Sequence, residues 1–213
     1  MLFDKYRYVV VAGPIGAGKT SLARLLAERF QAELMLENAD ANPFLARFYQ
    51  DAARYALSTQ LFFLFQRASQ VQDLKQMELF GRATVADFML DKDQLFAQLN
   101  LSDEEYRLYQ QIYSHLKTQT PTPDLMIYLQ VAPEVLADRV RGRGVEYEAP
   151  VTLDYLTRVA DSYSRYFYHY DASPLLIVNS EHLNFVDQPQ ALDLLIERIG
   201  QMRGGREYFN YAA

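Results

Sequence analysis

The stretch "VVVAGPIGAGKTS", residues 9–21, decides how this chain is read. A short β-branched run ends at glycine, which marks a buried strand. Behind it Gly13, Gly18, Lys19 and Thr20 satisfy G-x-x-x-x-G-K-[ST], with Gly16 adding freedom in the middle, and Leu22, Leu25, Leu26 and Phe30 then recur at helical spacing. Strand, glycine loop and helix together form an anion cradle. Successive backbone N–H groups turn inward, and the helix adds its positive end. Lys19 would reach the outer phosphates of a nucleoside triphosphate, and the Thr20 hydroxyl would ligate Mg²⁺. The expected binding loop is Gly13, Gly16, Ala17, Gly18, Lys19, Thr20 and Ser21.

Outward from this loop the chain alternates strands and helices. "AELMLE" reads as a second strand, and a helix runs from about Arg54 to Lys75. "ATVADFML" is a third strand, followed by a helix over 103–119. "PDLMIYLQV" is a fourth strand, with a helix from Pro133 to the glycine at 144. A helix over 152–170, a fifth strand "PLLIVN" and a last helix over 188–202 complete the series. Short, almost wholly apolar strands between helices predict a parallel sheet covered on both faces. The expectation is a single α/β domain over residues 1–213 with a five-stranded parallel sheet. A helical insertion separates strands two and three, and "GGREYFNYAA" is left as a tail.

Composition narrows the chemistry. With a net charge of −6 the chain lacks the basic stripe that duplex binding needs, so no nucleic-acid partner is expected. It has no cysteine, which excludes disulfides, thiolate metal sites and thiol catalysis. Its three histidines, His115, His169 and His182, have no ligand-like spacing. Neither a signal peptide nor a membrane-spanning run is visible, so a cytoplasmic protein without a membrane partner is expected. A guanine-reading Asn/Thr-Lys-x-Asp is missing. The small size and the insertion point to a small-molecule kinase rather than a switch.

Around Glu37 the pattern becomes specific. The segments "LENADANPFLARFYQDAARYALSTQLFFLFQR" (36–67) and "RVRGRGVEYEAPVTLDYL" (139–156), with the glycine loop, resemble the deoxynucleoside kinase family over about residues 7 to 200. The likeness is strongest to its bacterial deoxyadenosine/deoxyguanosine kinase branch. That resemblance implies a P-loop kinase fold and a homodimer. It also implies transfer of the γ-phosphoryl group of ATP to a deoxynucleoside 5′-hydroxyl, with a purine deoxynucleoside favoured, in nucleotide salvage.

Glu37 lies at the carboxyl end of the second strand, where open parallel sheets place ligands. A carboxylate there can take the acceptor's proton, and the resemblance implies the base role for it. Gln60, Phe63 and Arg67 share one helical face. The resemblance implies that Tyr49 reads the sugar 3′-hydroxyl, Gln60 the base, and that Arg67 supports the base pocket. At the third strand Asp87 fits an acid that binds Mg²⁺. Phe88, however, stands where relatives carry an arginine, and Lys92 is the expected substitute for its charge. Asp93 aligns with a residue that contacts the base.

The expected lid spans about 139–148. The family's two lid arginines, four apart, map onto Arg139 and Arg143, which would stabilise charge on the transferring group. The family's glutamate for the 3′-hydroxyl falls on Glu148 rather than Glu146. The loop after the fifth strand corresponds to the one around the adenine of ATP. Two other readings share the P-loop: a thymidylate kinase, and a regulatory nucleotide-binding protein that has lost catalysis. The first would need cations around a phosphorylated acceptor, which a glutamate at position 37 opposes.

Overall fold

The computed structural model describes residues 5–79, 81–116 and 121–211. In chain order it contains β1 (Tyr8–Ala12), α1 (Lys19–Phe30), β2 (Glu33–Met35) and a 3₁₀ turn (Ala39–Ala41). Next come α2 (Leu45–Gln50), α3 (Ala52–Leu79), β3 (Thr84–Ala86), α4 (Lys92–Asn100), α5 (Asp103–Leu116) and β4 (Leu125–Gln130). The remainder is α6 (Pro133–Arg143), a second 3₁₀ turn (Glu146–Glu148), α7 (Leu153–His169), β5 (Leu175–Asn179), α8 (Pro189–Gln201) and β6 (Arg206–Asn210). The end of the helix expected over 103–119 lies outside the described residues.

All strand pairs are parallel, in the order β2-β3-β1-β4-β5-β6. The sheet therefore has six strands, not five. The sixth comes from the segment read as a tail. In "REYFN" half-buried Glu207 and Phe209 alternate with exposed Arg206, Tyr208 and Asn210, because an edge strand buries only one face. Arg206 also donates to the carbonyls of Phe167 (3.0 Å), Tyr168 (3.0 Å) and Tyr170 (2.8 Å), which closes the end of α7. A second departure is α4, a helix absent from the sequence reading, whose first residues, the site candidates Lys92 and Asp93, are buried.

Alternation along the strands sorts the core into two layers. Val9, Val11, Leu125, Ile127, Leu129, Leu176 and Val178 face α1, α6 and α8. Val10, Ala12, Met126, Tyr128, Leu175 and Ile177 face α7, where Tyr163 and Phe167 pack. Each such side chain contributes roughly 1.5–3 kcal/mol by leaving water, so the sheet is the rigid part of the molecule. A third cluster joins the insertion to the helices after β3, with Leu64 and Val71 of α3 against Ala97 of α4 and Tyr109 and Tyr113 of α5.

The strand order positions the site. β2, β3 and β1 lie side by side, so the chain leaving each delivers Glu37, Asp87 and the glycine loop to one end of the sheet.

Candidate active site

The loop begins with two glycines that the packing requires. A Cβ on Gly13 would lie 2.9 Å from the Leu129 carbonyl oxygen. Gly16 has φ +81°, and a Cβ there would meet the Leu136 oxygen and a Val140 methyl at 3.1 Å. The loop thus rests directly on α6. Lys19 opens α1 and folds back to donate to the Pro14 carbonyl at 2.9 Å. Burial lowers its pKa, and the positive charge of Lys92 lowers it further, to about 8.

In front of this loop lies a cavity of about 580 Å³. Its walls include Lys19, Thr20, Glu37, Tyr49, Gln60, Arg67, Asp87, Lys92, Arg143 and Glu148. Residues expected from four separate sequence segments therefore meet in one place. Asp87 joins two of its walls: one oxygen accepts the Glu37 backbone N–H at 2.7 Å, the other the Thr20 hydroxyl. These are hard oxygen donors at the foot of a phosphate cradle. They suit Mg²⁺, which takes one or two protein oxygens and leaves the rest to phosphates and water.

The Glu37 side chain is held by cations from two helices. Arg67 pairs with one oxygen, and Lys92 donates to the other at 3.1 Å. Burial alone would raise its pKa. The charges of Arg67, Lys92 and Lys19 outweigh that and hold it at about 2. The carboxylate is therefore ionised at any working pH. Phe88 is buried in the core beneath the sheet and is absent from the cavity wall. Four residues on, Lys92 brings its charge to Glu37.

Arg67 also pairs with Asp93, which is fully buried and behind the cavity wall. Asp93 thus touches the guanidinium rather than the cavity space. Gln60 is buried, and its Oε1 has no hydrogen-bond partner among the described residues. A buried acceptor left open is costly unless something else fills it, and here it belongs to a residue of the cavity wall.

At the lid, Arg143 grips Glu148 through both carboxylate oxygens, at 2.6 and 2.7 Å. Glu148 is buried and lines both the cavity and an adjoining groove, whereas Glu146 lines the groove and not the cavity. Arg139 is not brought to the cavity. It donates to the carbonyls of Ser180 (2.6 Å), Glu181 (3.1 Å) and Leu183 (3.3 Å), in the loop after β5. Arg141 pairs with Asp138 on the surface.

Sequence reading missed Asp40, Tyr147, Tyr155 and Tyr163, which also line the cavity. Only Tyr147 carried a signal, its place directly before Glu148.

A parallel sheet with a phosphate cradle and an ionised carboxylate at adjacent strand ends defines a P-loop phosphotransferase. The family model for deoxynucleoside kinase matches residues 9–202. The chain is 30% identical to a deoxyadenosine kinase of Lactobacillus acidophilus over 91% of its length and 94% of that protein's. It is 31% identical to a deoxyguanosine kinase of Bacillus subtilis over 73% of its length and 76% of that protein's. In fold it is similar to a deoxyadenosine kinase from M. mycoides solved with dCMP and a flexible dCDP bound. There the TM-score is 0.78, with 21% identity over 91% of this chain and 99% of that one. The chain belongs to the deoxynucleoside kinase family.

Proposed function

We propose that this protein, as one P-loop kinase domain, transfers the γ-phosphoryl group of ATP to the 5′-hydroxyl of a deoxynucleoside, preferentially a purine deoxynucleoside. The observation that carries the reading is the Glu37 carboxylate, ionised and facing the same cavity as the phosphate loop. A neutral hydroxyl is a fitting acceptor beside it, because a monophosphate would be repelled. Arg67 and Lys92 do not offset that repulsion, because both are already paired with carboxylates.

In this reading the backbone of residues 13–21 and Lys19 hold the triphosphate. Mg²⁺ held by Thr20 and Asp87 would neutralise charge across the phosphates. Tyr49 and Glu148 hold the 3′-hydroxyl, and Gln60 the base edge, with Arg67 as its support. Asp93 contributes to base choice through Arg67. Glu37 aligns the 5′-hydroxyl and accepts its proton as the oxygen bonds to phosphorus and ADP departs. Lys92 supplies the charge that relatives take from an arginine at the place of Phe88. Arg143 leaves Glu148 for the transferring group once both substrates are bound, and Arg139 fixes the loop expected around adenine.

A homodimer is part of the proposal. The packed helices α3 and α5 leave Phe65 (55% exposed) and Leu108 (46%) on the surface, and light scattering of Phe65→Glu against wild type tests it. A cytoplasmic setting fits the kinase reading. The described residues contain no helix long and apolar enough to cross a membrane.

The deciding experiment measures ADP release with Mg·ATP and each of the four deoxynucleosides, using wild type and Glu37→Gln. Acceptor-dependent release that prefers a purine, and falls by about 10² or more in the variant, supports the reading. Release with thymidylate alone, or nucleotide binding without turnover, overturns it.

A further inference from the structure

Two residues outside every role assigned above meet across the mouth of the cavity. Asp40 sits in the 3₁₀ turn Ala39–Ala41, three residues after Glu37, and Tyr147 in the 3₁₀ turn Glu146–Glu148 of the lid. The Tyr147 hydroxyl donates to Asp40 Oδ1 at 2.7 Å, bridging 107 positions of sequence. It is the described side-chain hydrogen bond that runs from the lid turn to the loop after β2.

The neighbours of Tyr147 give that bond its meaning. Its ring lies parallel to that of Tyr49, with 4° between planes and 6.4 Å between centroids. Behind the two rings Phe48, Leu45 and Tyr155 form the apolar floor of the same cluster. The next residue is Glu148, gripped by Arg143. Tyr147 therefore touches one group assigned to the sugar 3′-hydroxyl and is covalently joined to the other. A hydrogen bond that pins Tyr147 fixes the distance between them.

We propose that Tyr147 and Asp40 are a positioning pair. Their hydrogen bond holds the lid turn against the sugar end of the cavity and keeps Tyr49 and Glu148 spaced for a 3′-hydroxyl. It thereby sets how strongly the enzyme prefers a deoxynucleoside over one lacking that hydroxyl. This rests on the kinase reading above. Neither residue touches the reacting atoms: the pair acts through its neighbours.

The test compares kcat and KM for a deoxynucleoside and for its 2′,3′-dideoxy counterpart. Amide exchange of residues 145–149 is followed in parallel. A hydrogen bond to a charged group is worth about tenfold at the lower end of its range, the end that applies to an exposed pair. Tyr147→Phe should raise the deoxynucleoside KM about five- to tenfold, leave the ATP KM unchanged, and narrow the deoxy-to-dideoxy ratio by a similar factor. Asp40→Ala should do the same, and the double variant should be no worse than either alone. Asp40→Asn keeps an acceptor oxygen and should recover most of the loss. Exchange at 145–149 should quicken in Tyr147→Phe and Asp40→Ala. An unmoved ratio in an active enzyme, or single effects that simply add, overturns the pairing while sparing the kinase reading. A wild-type chain that phosphorylates no deoxynucleoside overturns both.

Discussion

Asp87 accepts the backbone N–H of Glu37 at 2.7 Å. The bond fixes the turn that follows β2 to the end of β3, and the second oxygen of the same carboxylate fixes the Thr20 hydroxyl at the start of α1. Glu37 and the end of the glycine loop are therefore set at a fixed separation by one side chain.

Asp87→Ala breaks both links, and turnover should fall by 10² or more. The unpaired Glu37 N–H costs about 1–3 kcal/mol, or roughly 2–12 °C of melting temperature for a chain of this size. Asp87→Asn keeps an acceptor for that N–H. It should melt close to wild type yet demand more Mg²⁺ for half-maximal rate. Equal melting temperatures for the alanine variant and wild type would show that the link carries no stability.

Lys92 lies 3.1 Å from Glu37, on the side where Phe88 supplies only bulk to the core. Lys92→Met should lower kcat about 10²-fold and change the nucleoside KM by less than threefold. Steady-state kinetics with the preferred nucleoside check this, and an unchanged kcat would remove Lys92 from the mechanism.

Burial first and the positive charge of Lys92 second lower the pKa of Lys19 to about 8. The ammonium form grips phosphate, so kcat/KM for ATP should fall as pH rises through about 8. The limb in kcat should lie higher, since bound triphosphate favours the charged lysine. Lys92→Met removes one depressing charge and should move the kcat/KM limb upward. A profile flat to pH 9.5 in wild type would contradict this environment for Lys19.

Arg139 spends its guanidinium on the carbonyls of Ser180, Glu181 and Leu183. Arg139→Ala should therefore raise the ATP KM about tenfold and weaken discrimination between ATP and GTP, with kcat within threefold of wild type. A kcat loss of 10² at constant KM would instead put Arg139 at the phosphoryl group.

What the sequence made legible were features with local causes. The glycine loop needs backbone conformations and close approaches that few residues allow, so Gly13 and Gly16 announce it. Gln60 and Arg67 share a helical face through spacing alone, and Glu37 stands out through the family resemblance together with its place after a strand. What stayed hidden depends on partners far along the chain. Lys92 and Asp93 stand out as site candidates, but nothing near them in sequence shows that they are buried at the start of a helix and pair there with Glu37 and Arg67. Arg139 is claimed by main-chain carbonyls, which leave no trace in side-chain identity. The pairing of Tyr147 with Asp40 is equally silent. β6 was missed because half of its residues face water.

That last strand reaches further than its place at the edge implies. Through Arg206 it caps α7, whose Tyr155 and Tyr163 line the cavity. Proteolytic trimming beyond residue 203, or a handle fused so that β6 peels away, would thus register as slackened substrate grip rather than as a harmless loss of overhang. Arg206 of β6 braces a helix that lines the cavity in front of the glycine loop.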